Sequence, residues 1–156
     1  MRTHARAPRG EQVVDRVTAG TWKNYTVIAG LRSDAVVAPL VFSGALNTEA
    51  LRAWVEQVLL PELSEGDIVV WDNLQVHKDP VVAVRLKEHG VLLRFTPAYS
   101  PDLNPIEMTW AKLKSIVRKL RAHTFEALTD ALGVALKAIT PQDCLAWFKQ
   151  VGCRIC

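Results

Sequence analysis

The chain has 156 residues, 49% apolar and 22% charged, which is enough to bury one hydrophobic core and too few for two full domains. Its net charge of +3 is too small to mark a nucleic-acid binder by its total; no apolar run approaches the ~20 residues of a membrane helix, and Met1 to Gly10 lacks the apolar core of a secretion signal. The cysteines, Cys144, Cys153 and Cys156, are odd in number and argue against a disulfide framework, so the composition points to a soluble, cytoplasmic protein with free thiols.

Residues 1–20 are rich in Arg, with Arg2, Arg6 and Arg9 forming a basic group, and read as a loop with at most one short strand at Gln12 to Val17. Tyr25 to Arg32 and Ala35 to Phe42 are β-branched, apolar runs separated by Ser33-Asp34, which predicts a β-hairpin ended by Ser43-Gly44. Asn47 or Thr48 caps the next element, where Leu51, Trp54, Val55, Val58 and Leu59 recur at helical spacing up to Pro61. The run Ile68-Val69-Val70-Trp71 lacks alternation and predicts a strand buried on both faces, as in a parallel sheet.

Asp72 ends that run. A loop over 73–79 leads to a helix from Pro80 to about His89, stopped by Gly90, and Val91 to Phe95 forms another strand. Strand, helix, strand, helix implies parallel strands joined by right-handed crossovers. The predicted fold is therefore α/β, an antiparallel hairpin joined to parallel strands. After it, Phe125, Leu128, Leu132 and Leu136 mark one more helix, Pro141 lies in the following linker, and Cys144 to Val151 forms a last short helix. Residues 122–156 are thus the helical end of the same single domain.

The densest chemistry lies between Pro97 and Arg121. Asn104 is placed to cap a helix, Pro105 suits its first position, and Glu107 follows three residues after the cap. Ile106, Trp110, Leu113, Val117 and Leu120 fall on one stripe that should face the core. Lys114, Arg118 and Arg121 line up beneath Glu107 at roughly 100 degrees per residue. Five Lys or Arg residues and no acid occur between Ala111 and Arg121. Glu107 can be a capping-box glutamate or a metal-binding carboxylate heading a phosphate-binding track, and Asp72 a turn residue or a second ligand. In an open α/β sheet, ligands gather where parallel strands end, so both carboxylates are expected at one crevice. Two hard oxygen ligands there suit Mg²⁺ or Mn²⁺.

The strand ending Val-Val-Trp-Asp72-Asn73, followed by His77, and the run Tyr99-Ser-Pro-Asp-Leu-Asn-Pro-Ile-Glu107 with Trp110 resemble the second and third acidic motifs of DDE transposases. The resemblance is to the bacterial insertion-sequence members of the mariner-like superfamily. Thirty-four residues lie between Asp72 and Glu107, the spacing typical of that group, and Arg6-Ala-Pro-Arg-Gly10, the Trp22 to Arg32 strand and Trp147-Phe148 extend the similarity over nearly the whole chain.

The resemblance implies a ribonuclease H-like fold and cut-and-paste transposition, with Asp72 and Glu107 as metal ligands and Asn73 and His77 near the site. Lys114, Arg118 and Arg121 become candidates for phosphate contacts that position DNA, transposon ends and target alike, without reading sequence. A second copy of the chain is a further candidate partner. The family's first catalytic aspartate lies on a central strand that would fall before Met1. Ahead of the Trp22 strand the only acids are Glu11 and Asp15, neither in a matching context. The expectation is an N-terminally truncated transposase catalytic domain, inactive alone. The alternative is a non-catalytic remnant that binds DNA or another transposase copy through its basic helix.

Overall fold

The computed structural model describes residues 24–98, 100–122 and 124–153. The basic group at Arg2, Arg6 and Arg9, the short strand expected at Gln12 to Val17, Glu11, Asp15 and Cys156 lie outside them.

The hairpin forms as expected. Strands β1 (Tyr25–Leu31) and β2 (Val36–Ser43) pair antiparallel, and the Arg32 N–H closes the turn on the Ala35 carbonyl at 2.8 Å. The register slips between Ile28↔Leu40 and Gly30↔Val37, where Ala38 adopts φ 52° ahead of Pro39. Pro39 has no N–H for the ladder, so the extra residue is accommodated as a bulge. That bulge frees the Ala38 carbonyl to accept the buried Trp54 indole N–H at 2.8 Å.

Helix α1 (Thr48–Trp54) starts on the Asn47 side chain, which accepts the Ala50 N–H at 2.8 Å. It continues as a wider π-turn over Val55–Leu59 and a 3₁₀ turn over Leu60–Glu62, where Pro61 stops further helix. Strand β3 (Ile68–Trp71), helix α2 (Pro80–Glu88) and strand β4 (Leu92–Phe95) form the expected crossover. The strands pair parallel from Ile68↔Leu92 to Trp71↔Phe95. Gly90 ends the α2 connection at φ 76°, where a Cβ would also sit 2.6 Å from the Glu65 side chain. Leu51 from α1 and Val55 from the π-turn after it meet Val82 and Leu86 from α2 in one core, against which Ile28 of β1 and Val69 and Trp71 of β3 pack.

Helices α3 (Ile106–Leu120), α4 (Phe125–Lys137) and α5 (Pro141–Gln150) follow. Helix α5 begins three residues before the sequence estimate. Thr140 and Asp143 make a capping box with Pro141 in the first turn, so Pro141 opens the helix and is no linker residue.

Strand β3 departs from expectation in its burial. Ile68 and Val70 are 61% and 55% exposed, and Leu92 beside them is 49% exposed, so only the Val69 and Trp71 side of β3 meets the core. The apolar run reflects one buried face and one face that no described helix covers.

The four described strands form two separate pairs. Every residue from Thr26 to Leu31 and from Ile68 to Trp71 lines one cleft of about 800 Å³. Consecutive strand residues point to opposite faces, so such continuous lining means that the backbone edges face the cleft. Among the described residues these edges have no strand partner, because β2 and β4 occupy the other sides. Arg32 spans the two pairs, bonding Asp67 at 2.6 Å and the Glu62 carbonyl at 2.8 Å.

Candidate functional site

Asp72 follows β3 directly, and the Thr96 N–H donates to the Trp71 carbonyl at 2.8 Å, extending the ladder to the point where the aspartate leaves it. Its Oδ1 accepts two bonds, from the Leu74 N–H at 3.2 Å and from His77 Nδ1 at 2.6 Å. His77 sits on a 3₁₀ turn, Gln75–Lys78, with its ring 5.3 Å from that of Trp71. Its side chain is only 14% exposed. Asn73 turns away and donates its side-chain N–H to the Thr96 carbonyl at 2.5 Å, which ties the loop after β3 to the end of β4.

Glu107 lies in the first turn of α3 and is exposed. The helix begins at Ile106 with Pro105 at its cap, one residue later than the sequence predicts. Asn104 is extended and its side chain accepts the Ile106 N–H at 3.3 Å, while its carbonyl accepts the Glu107 N–H at 3.2 Å. No side chain closes the capping box. Among the described residues, the Glu107 carboxylate therefore has no local bond to satisfy. The first turn also suits the Glu107 carboxylate, because helix N-termini carry partial positive charge.

Asp72, His77, Asn104, Glu107 and Trp110 line the cleft between β1 and β3, so both carboxylates share the crevice that the strand ends predict. Asn73 does not line it. Among the described residues, no three His, Cys, Asp or Glu side chains converge as a ready metal cage. The donor set present, two carboxylates at the mouth of one cleft, fits a hard divalent cation that keeps open positions for other oxygens.

Lys114 and Arg118 are exposed on α3, and Arg121 caps its end with φ 50°. None of the three joins an ion pair among the described residues, whereas Lys112 binds Asp143 of α5 at 2.5 Å. The apolar stripe of α3 is shorter than expected: Leu113 is buried and Leu120 is 50% exposed. Thr109, absent from the predicted stripe, is fully buried one turn before Leu113.

Two adjacent strand pairs on a shared helical core, with Asp72 after β3 and Glu107 in the first turn of α3 lining one cleft, make a ribonuclease H-like α/β domain. Residues 1–129 match the family model described as DDE superfamily endonuclease, and the chain belongs to that family. Among solved structures it is similar to the Mos1 strand transfer complex, with TM-score 0.75 and 16% identity over 97% of this chain and 47% of that one. It is likewise similar to a pre-cleavage Mos1 transpososome, with TM-score 0.76 and 15% identity over 97% and 48%. The Mos1 mariner paired end complex with Mn gives TM-score 0.71 and 16% identity over 97% and 48%. The chain thus spans about half the length of the solved chains it matches. No curated protein matches it. Among the described residues no helix is long and apolar enough to cross a membrane.

Proposed function

We propose that this chain is the part of a DNA transposase catalytic domain that supplies Asp72 and Glu107 to a metal-dependent phosphodiester centre. The observation that carries the reading is the opening of both carboxylates onto one cleft, at the end of β3 and the start of α3. Mg²⁺ or Mn²⁺ held there would supply two-metal chemistry, activating an attacking oxygen and stabilising the leaving one. Asp72 and Glu107 would hold the ions, Asn73 keeps the Asp72 loop against β4, and Lys114, Arg118 and Arg121 contact DNA phosphates. Among the described residues the edges of β1 and β3 face one cleft, and a strand seated there with a third carboxylate would complete the ligand set.

Nicking of supercoiled DNA in Mg²⁺, by the chain with a carboxylate-bearing central strand fused to its amino end, tests this. Activity should appear, and Asp72→Asn and Glu107→Gln should each remove it. Persistent nicking in either variant would refute the assignment. The α3 cations that join no ion pair among the described residues favour a second reading, a DNA-binding module without catalysis, and DNA binding by a strand-completed chain that never nicks would select it.

A further inference from the structure

Asp72 has two carboxylate oxygens, and the fold engages one. Oδ1 takes the His77 and Leu74 bonds, while Oδ2 accepts none from the described residues. A carboxylate bonded to an imidazole at 2.6 Å must be accepting, so His77 donates through Nδ1. The imidazole is itself held. Its ring lies against Trp71, its backbone N–H donates to the Leu74 carbonyl at 3.0 Å, and its 3₁₀ turn ends on Asp79, which caps α2 and binds Arg52 at 2.7 Å.

From this geometry we infer that His77 is a positioning residue: it fixes the Asp72 carboxylate so that Oδ2 is the oxygen presented to a divalent cation. The inference rests on the metal reading above and adds to it. Aspartate alone would have to lose side-chain freedom on binding a cation, and a hydrogen bond formed in advance removes that loss. Engaging Oδ1 also disfavours two-oxygen chelation and leaves the single-oxygen contact that a small octahedral ion prefers.

The test is Mn²⁺ binding by the full chain, with the free ion counted by electron paramagnetic resonance and folding checked by circular dichroism. His77→Phe keeps a ring against Trp71 and loses the donor, so Mn²⁺ affinity should fall about 10–100-fold. His77→Gln, whose amide sits where Nε2 was, should behave alike and serves should the Phe variant fail to fold. His77→Asn returns an N–H near the Nδ1 position and should recover most of the affinity. A His77→Phe chain within twofold of wild type would overturn the role. So would a His77→Asn chain no better than His77→Phe, the pattern expected of an imidazole that ligates the ion directly. Asp72→Asn separates the two levels: should it bind Mn²⁺ as wild type does, the metal reading itself fails and the positioning role with it.

Discussion

Asp143 accepts three bonds at one oxygen, from Lys112 Nζ at 2.5 Å and from the Thr140 backbone N–H and hydroxyl at 2.8 and 2.9 Å. Lys112 foremost, then Thr140, holds its carboxyl down at about 2 against an ordinary 3.8. A carboxyl depressed on folding adds stability that is fully present above its unfolded pKa and is lost as pH falls through the folded one. Wild type should therefore melt above Asp143→Asn at neutral pH, with the gap shrinking below about pH 4 and closing near pH 2. Thermal melts across that range check it, and a gap unchanged at pH 2 would reject it. Periodicity starts this helix at Cys144 and leaves Pro141 in the linker, so the capping box of Thr140 and Asp143 emerges only in the structure. The Lys112 partner is not legible, because 31 positions separate the two. His77 is expected near the site from resemblance, but five residues of irregular loop give no rule for where an imidazole points.

At the scale of the element, helix α3 joins the cleft to a basic surface. Its start, its length and its exposed cations follow from local chemistry: a Pro-terminated turn, a 3.6-residue period and charge on one side. The Leu120 end of the apolar stripe does not, since burial there depends on whether a neighbour reaches it. Lys112 shows the same limit, having joined Asp143 although by sequence it resembles the other cations. Binding of duplex DNA to the chain should fall steeply with salt, and replacing Lys114, Arg118 and Arg121 by Ala should flatten the slope of log affinity against log salt by about one unit for each phosphate-bound cation removed. Filter binding at several salt concentrations measures this. A slope unchanged in the triple variant would remove these residues from the phosphate interface.

At the scale of the whole molecule, two half-sheets share a helical core and, among the described residues, leave unpaired edges on either side of one cleft. Free edges beside exposed Ile68, Val70 and Leu92 invite pairing with another chain. The chain should self-associate, and Ile68→Lys with Val70→Lys should raise its monomer share in light scattering; a strictly monomeric wild type would contradict this. Sequence by itself determined the order and kind of the elements, the parallel crossover and the placing of Asp72 and Glu107 at a strand end and a helix start. These rest on caps, turns and periodicity, which act over a few residues. Only the tertiary structure decided that β3 buries a single face and that His77 holds Asp72. Those outcomes depend on how segments far apart in the chain, or side chains on an irregular turn, pack against one another, and no local pattern encodes that.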